Sequence, residues 1–174
     1  TSQLLALALA RNSALWSGSA TEEVDLAVLL DAIVRLHLPA ARKRRILIEI
    51  DIDAALAPVN VTESLLFEAV SNLVQNAITA SDASGSVVLS VGQGGGQTVI
   101  AVRDTGPGMA EDMIGRLAQG NRFALSARGR GGSSSTGLGL NIVQEIIRSM
   151  RGKLVLTNLA GGGLSAELHL PDQA

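Results

Sequence analysis

One carboxylate and two amide side chains recur at intervals of four in the stretch LLFEAVSNLVQNAITAS of this chain. If that stretch is helical, Glu68, Asn72 and Asn76 share one side of the helix, each about one turn beyond the last. An amide oxygen together with phosphate oxygens suits a magnesium ion, and a nearby carboxylate can accept a proton or orient an attacking group. A solvent-facing helix surface uses the same residue types, so this stretch alone does not decide between the two interpretations.

A second segment, VRDTGPGM, places an acid and two glycines directly after a predicted strand. Asp104 at the strand end can accept a hydrogen bond from an exocyclic amine. Gly106 and Gly108 allow the backbone to approach a ring closely and to adopt positive φ, and Met109 follows them. A simple β-turn is built from the same residue types, so this segment is also ambiguous by itself.

A third segment, SSSTGLGLNIVQEI, opens a predicted helix with two glycines. Backbone N–H groups at a helix N-terminus bind anions, and the positive end of the macrodipole adds to the attraction. A flexible loop that meets an ordinary helix cap is the plainer interpretation. The order and spacing of all three segments together predict a nucleotide site.

Apolar periodicity predicts the elements that position these segments. Helices are predicted at residues 25–38, 62–80 and 138–150. Strands are predicted at residues 23–26, 45–52, 86–91, 98–102, 153–157 and 164–170. The adjacent antiparallel hairpins together with the helices predict a two-layer α+β sandwich with helices on one face.

The first predicted helix is capped by Asp25 and ends near Pro39. Its expected apolar stripe comprises Leu26, Leu29, Leu30, Ile33 and Leu36. The basic residues 40–44 are then expected to form a connection rather than part of the helix. Residues 109–135 show no long apolar period, which predicts an irregular, mobile segment.

Composition limits the possible classes of protein. A chain of 174 residues with 47% apolar content fits one folded domain with an aliphatic core. The net charge of −2 argues against general nucleic-acid binding, and the absence of cysteine excludes disulfides. The longest apolar run, residues 4–10, is too short to span a bilayer, so no direct membrane contact is expected.

Together the three segments resemble the N, G1 and G2 boxes of the ATP-binding fold shared by sensor histidine kinases, DNA gyrase and mismatch-repair ATPases. NLVQNA is similar to the kinase pattern NLxxNA, and the resemblance extends from about Val24 onward. It implies a Bergerat-type α+β sandwich with a mixed, mostly antiparallel sheet. It also implies ATP and Mg2+ as ligands.

The resemblance implies a role for each motif residue. Asn72 would bind magnesium, and Glu68 would polarise the phosphoacceptor. Asn76 would contact phosphate, and Asp104 would bind the adenine amine. The other implied nucleotide-binding residues shape the adenine pocket or cradle the phosphates: Gly106, Gly108, Met109, Thr136, Gly137, Leu138, Gly139 and Leu140.

The resemblance also implies a domain plan and a reaction. Residues 1–20 would end a dimerisation helix and its linker, and residues 21–174 would form the ATP-binding catalytic domain, with a lid at residues 109–135. The expected reaction transfers the γ-phosphoryl group of ATP to a histidine on the dimerisation domain. A response regulator would act downstream, in the cytoplasm, beside a membrane-anchored homodimeric sensor. Since His37 and His169 lack the context of an acceptor, the chain alone is not expected to phosphorylate itself.

Three positions depart from the kinase pattern. Thr79 stands where a basic residue is usual, Ala80 where an aromatic is usual, and Ser135 where a further glycine is usual. The lid offers possible replacements: Arg122, Arg128 or Arg130 for the cation and Phe123 as an apolar anchor. The departures give some support to one alternative, a degenerate nucleotide-binding regulatory domain. A gyrase-like or mismatch-repair-like ATPase is a separate alternative.

Overall fold

The computed structural model describes residues 21–52, 56–119 and 136–172, which contain seven strands and four helices. The strands are β1 (Glu22–Val24), β2 (Leu47–Ile52), β3 (Val59–Val61), β4 (Ser86–Gly94), β5 (Gln97–Asp104), β6 (Lys153–Asn158) and β7 (Leu164–Pro171). The helices are α1 (Leu26–Arg44), α2 (Glu63–Ala80), α3 (Glu111–Ala118) and α4 (Thr136–Ser149). The predicted dimerisation segment, residues 1–20, lies outside the described residues. Within them, no helix is long and apolar enough to cross a membrane.

Five strands form one sheet in the order β2-β4-β5-β7-β6. β2 runs parallel to β4, and the other neighbouring strands are antiparallel. β1 and β3 form a separate antiparallel ribbon. The predicted α+β fold with a mixed, mostly antiparallel sheet is therefore confirmed. β5 occupies the centre of the sheet and ends at Asp104, so the sheet delivers this residue to the site.

The core lies between the sheet and a layer of helices in which α2 packs between α1 and α4. The apolar side of α2 is buried as its periodicity predicts, through Leu66, Ala69, Val70, Leu73 and Ala77. The facing strands contribute β-branched and leucine side chains such as Val87, Leu89, Ile100 and Leu168. Because this side of α2 is fixed against the sheet, the Glu68, Asn72 and Asn76 stripe must face away from the core centre.

α1 is longer than predicted, because it continues past Pro39 to Arg44. Asp25 caps its start as predicted, with its carboxylate accepting from Ala27 N at 2.9 Å. At the other end, Arg45 adopts left-handed φ and the last turn is basic, which complements the helix dipole. Arg44 also donates to the main-chain oxygens of Thr79 and Ser81, so it stabilises the C-terminus of α2.

The prediction that Leu36 belongs to the buried stripe of α1 is wrong, since Leu36 is 58% exposed. The period of 3.6 places His37, one residue later, over the core after Ile33. The Nε2 atom of His37 lies 2.8 Å from the hydroxyl of Ser71 on α2. Burial lowers the pKa of His37, and a hydrogen bond with Gln75 opposes that effect. A neutral histidine packed between two helices is a structural residue.

The segment expected to be irregular from residue 109 onward begins with a helix, α3. Leu117 of α3 is buried, and its carbonyl accepts from Gln144 Nε2 of α4 at 2.7 Å. The helix was missed because its eight residues are too few to show a clear period. The predicted lid from residue 120 to residue 135 lies outside the described residues.

We expect the two leucines of α1 to differ sharply in their contribution to stability. Leu30→Ala should lower the free energy of unfolding by about 2–5 kcal/mol, because Leu30 is fully buried. Leu36→Ala should change it by less than about 0.5 kcal/mol, because that side chain faces solvent. Urea denaturation of both variants checks this, and equal losses would contradict the helix rotation described above.

Candidate functional site

The N-terminal turn of α4 packs directly against the polar stripe of α2. A Cβ atom added to Gly139 would lie 3.2 Å from Asn76 Nδ2 and 3.5 Å from Asn72 Oδ1. Asn72 Nδ2 donates to Glu68 O one turn earlier at 2.9 Å, which turns the Asn72 amide oxygen away from its own helix backbone. The first and third sequence segments are therefore in contact, although more than fifty residues separate them.

Asn76 carries an unusual feature for a side chain in a packed layer. Its Nδ2 atom is buried and has no hydrogen-bond partner among the described residues. Leaving a buried donor unpaired costs about 1–3 kcal/mol. Asn76 also lines a cavity, so an acceptor on a ligand in that cavity would satisfy the amide.

Asp104 supplies the charge of this cavity. The residue is only 6% exposed, and its Oδ1 atom accepts from Gly106 N at 2.8 Å and from Leu164 N at 3.3 Å. Burial raises the pKa of Asp104, and these two backbone donors act in the opposite direction. Because both bonds fall on Oδ1, they leave the lone pairs of the second oxygen for a donor from a ligand.

The two glycines after Asp104 are required by close backbone approach. A Cβ atom at Gly106 would lie 2.6 Å from the carbonyl oxygen of Ala80 at the end of α2. Gly108 has a φ of +78°, and a Cβ atom there would lie 2.6 Å from Asn158 Oδ1. The second sequence segment is thereby drawn against both α2 and the β6–β7 hairpin.

All three segments meet at one cavity of about 470 Å³, counting its open mouth. Its walls are mainly apolar and come from α2, the sheet, α4 and the segment after β5: Leu73, Val102, Met109, Leu140, Leu164 and Ala166. Asp104 and Asn76 provide the polar groups. A flat, apolar ring with an amine at its edge suits such a cavity.

The predicted site residues are placed as follows. Asn76, Asp104, Gly108, Met109 and Leu140 line the cavity. Gly106 packs beside it, and Gly139 lies against Asn72 and Asn76. Thr136, Gly137 and Leu138 form the start of α4. Glu68 and Asn72 continue the stripe of Asn76 along α2, both half-buried.

Sequence reasoning missed the part of the site that comes from the β6–β7 hairpin. Leu164 lines the cavity and bonds Asp104, and Asn158 bonds the backbone of Met109. Neither residue belongs to a recognisable motif, and Asn158 reads in the sequence as an ordinary residue before a turn.

The departures at the end of α2 leave that helix without a cation or a ring at the cavity. Thr79 donates its hydroxyl hydrogen to Gln75 O at 2.8 Å, and Ala80 lines the cavity with a methyl group only. The replacements named from sequence, Phe123 and the three lid arginines, lie outside the described residues, as does the third departure, Ser135. Among the described residues there is also no group of three or more His, Cys, Asp or Glu side chains that could hold a metal ion. The amide oxygen of Asn72, together with phosphate oxygens and water, would offer the hard oxygen ligands that a magnesium ion takes.

Comparison of the sequence with known proteins identifies one family. The family model described as Histidine kinase-, DNA gyrase B-, and HSP90-like ATPase matches residues 61–174. Sensor protein CreC of Escherichia coli (strain K12) is 31% identical over 150 residues, covering 84% of this chain and 30% of CreC. Sensor-like histidine kinase SenX3 of Mycolicibacterium smegmatis is 32% identical over 151 residues, covering 87% of this chain and 39% of SenX3.

A solved structure gives the same result for the fold. Full-length ShkA, in complex with AMPPNP, superposes with a TM-score of 0.73 at 26% identity, covering 88% of this chain and 31% of ShkA. The chain thus spans about a third of the length of these relatives. It belongs to the histidine kinase-, DNA gyrase B- and HSP90-like ATPase family, in which it represents the ATPase domain of the sensor histidine kinases.

Proposed function

We propose that this chain binds Mg-ATP and donates the γ-phosphoryl group to a histidine on the dimerisation domain of a two-component sensor kinase. The observation that carries the proposal is the convergence of a buried carboxylate, Asp104, and an unpaired buried amide, Asn76, at one apolar cavity. The carboxylate matches an exocyclic amine, and the amide donor matches a phosphate or ribose oxygen. A nucleotide requires both of these groups, whereas a cavity with no ligand requires neither.

The adenine base is held by the end of β5 and the residues after it. Asp104 accepts a hydrogen bond from the adenine amine, while Gly106 and Gly108 allow the backbone to approach the ring. Met109 and Leu164 contribute apolar surface on which the ring packs. Excluding water from this pocket strengthens the bond to Asp104.

The phosphates are held between α2 and the start of α4. Asn76 donates from Nδ2 to phosphate, and the N–H groups of residues 136–140 lie at the positive end of the α4 dipole. Asn72 would hold magnesium through its amide oxygen, and the ion would supply positive charge at the phosphate oxygens. Glu68, one turn away on α2, accepts or polarises the proton of the attacking histidine.

The proposal includes partners that lie outside this chain. The phosphoacceptor is the dimerisation domain of the same kinase, which would also make the full-length protein a homodimer. A response regulator receives the phosphoryl group next, in the cytoplasm. The similarity to sensor kinases such as CreC and SenX3, of which this chain spans only a part, supports the proposal of these partners.

A degenerate regulatory domain is the second candidate, because α2 offers neither a cation at Thr79 nor a ring at Ala80. Such a domain binds a partner with or without nucleotide and transfers no phosphoryl group. A wild-type chain that binds ATP well but never labels a cognate acceptor would favour this second candidate.

Asp104→Asn should keep the fold and lose affinity for ATP by about 1–3 kcal/mol, because the amide nitrogen that replaces the second carboxylate oxygen is itself a donor and cannot accept from the adenine amine. The fold is kept because the Asn oxygen can still accept from Gly106 N and Leu164 N. Burial disfavours the ionised carboxylate of Asp104 and so raises its pKa. A neutral amide removes this cost to the stability of the fold. Calorimetry of ATP binding and thermal unfolding measure the two effects. The exposed Asp112→Asn is the matched control, and unchanged ATP affinity in Asp104→Asn would refute the role of Asp104.

ATP affinity should also decrease when the pH is lowered, and this decrease should depend on Asp104. Burial raises the pKa of this carboxyl above its usual 3.8, so protonation begins at a higher pH than for an exposed aspartate. The protonated form no longer accepts from the amine as a charged group, so affinity decreases as pH falls through the raised pKa. Asp104→Asn should bind weakly but without this component, and it also controls for titration of the ATP phosphates. Identical pH profiles for the two proteins would contradict the assignment.

Two substitutions on α2 should separate metal binding from proton transfer. With a dimerisation domain that carries its histidine, Asn72→Ala should abolish transfer because the metal is lost. Glu68→Gln should retain ATP binding yet slow transfer by about 10²–10⁴-fold. Single-turnover phosphotransfer with labelled ATP measures both, and Glu63→Gln, exposed on the same helix, is the control. A Glu68→Gln variant with wild-type rates would mean that Glu68 only belongs to a solvated helix surface.

A further inference from the structure

Asn158, the last residue of β6, makes three hydrogen bonds through one side chain. Its Oδ1 atom accepts from Met109 N, and its Nδ2 atom donates to Met109 O and to Glu111 Oε1, all at 2.8 Å. Both main-chain polar groups of Met109 are therefore paired with a single amide, as they would be with a neighbouring strand. This pairing fixes the position and the orientation of the Met109 backbone.

The segment that Asn158 holds is a wall of the nucleotide cavity. Gly108 and Met109 line the cavity, whereas Asn158 does not. Gly108 packs so tightly on Asn158 that a Cβ atom at Gly108 would lie 2.6 Å from Oδ1. The side chain of Asn158 therefore acts on the cavity through the backbone of residues 108 and 109.

The same side chain also fixes the start of α3. Ala110, at the N-cap of α3, has no side chain that can cap the helix. Glu111 in the first turn is instead held by Asn158 Nδ2. One amide thus ties the β6–β7 hairpin to the cavity wall and to the helix that follows it.

An amide is the side chain that this position requires, because it combines a donor and an acceptor. A carboxylate would retain the acceptor for Met109 N but would lose both donated bonds. It would also face the carbonyl oxygen of Met109 and the carboxylate of Glu111. Alanine would remove all three bonds and leave the backbone groups of Met109 unpaired.

We propose that Asn158 is a positioning residue for base recognition, which holds the Gly108–Met109 wall at the correct distance from Asp104. The proposal rests on the proposed function, since it concerns binding of the adenine base in this cavity. The phosphate subsite between α2 and α4 does not involve Asn158. Loss of the side chain should therefore weaken interactions with the base and leave those with the phosphates unchanged.

Calorimetry of the 174-residue chain with Mg-ATP and with magnesium tripolyphosphate tests this distinction. Asn158→Asp and Asn158→Ala should weaken Mg-ATP binding by about tenfold or more, since two or three hydrogen bonds are lost. Their affinity for tripolyphosphate should match that of the wild type. Asn60→Asp, at an exposed asparagine of β3, controls for the added charge and should bind both ligands normally.

A double variant provides the rescue. In Asn158→Asp combined with Glu111→Gln, the glutamine amide can donate to the new carboxylate and the charge repulsion is removed. ATP affinity should recover in part relative to Asn158→Asp alone. A role limited to general stability predicts instead a lower melting temperature and equal losses for ATP and tripolyphosphate.

The outcomes separate this inference from the proposed function. A wild-type chain that binds no Mg-ATP would overturn both. A wild-type chain that binds Mg-ATP, with Asn158 variants that bind it equally well, would overturn only the inference. Equal weakening of ATP and tripolyphosphate binding, without rescue by Glu111→Gln, would also overturn it.

Discussion

The contact between α2 and the first turn of α4 is the constraint on which the site depends. α2 must bury Leu66, Val70 and Leu73 against the sheet, and this fixes the rotation of the helix about its axis. The polar stripe on the opposite side of α2 can therefore face in only one direction. α4 reaches that stripe because Gly139 has no side chain to hold the two helices apart. The Asn amides of α2 and the N-terminal turn of α4 then face the same space. Hydrophobic packing of one side of α2 thus sets the polar geometry of the other side.

The charge in the site is maintained at some expense of stability. Asp104 is buried, and its raised pKa means that the folded chain favours the neutral carboxyl more than the unfolded chain does. Two backbone donors reduce this penalty without removing it. Asn76, with its unpaired buried amide, adds a second unfavourable group. A cavity that contains both polar groups destabilises the packed core, and it is well suited to a ligand that supplies a donor and an acceptor.

The rest of the fold supports the cavity from its outer sides. Arg44 of α1 holds the C-terminal carbonyls of α2, next to Ala80 at the cavity wall. Asn158 and Leu164 of the β6–β7 hairpin hold the segment after β5. Each contact joins residues that are at least 35 positions apart in the chain. The site is therefore a product of the assembled domain rather than of any one loop.

The sequence alone was enough to predict the fold class, most of the elements and a set of candidate nucleotide-binding residues. It did so because periodicity of 3.6 or 2 and glycine spacing are local properties, visible in segments such as LLFEAVSNLVQNAITAS and VRDTGPGM. Tertiary structure decided which of Leu36 and His37 is buried, how far α1 extends past Pro39, and that residues 111–118 are helical. It also brought Asn158 and Leu164 to the cavity, where no motif marks them. These outcomes depend on contacts between distant segments, and such contacts leave no periodic signal in the segments themselves.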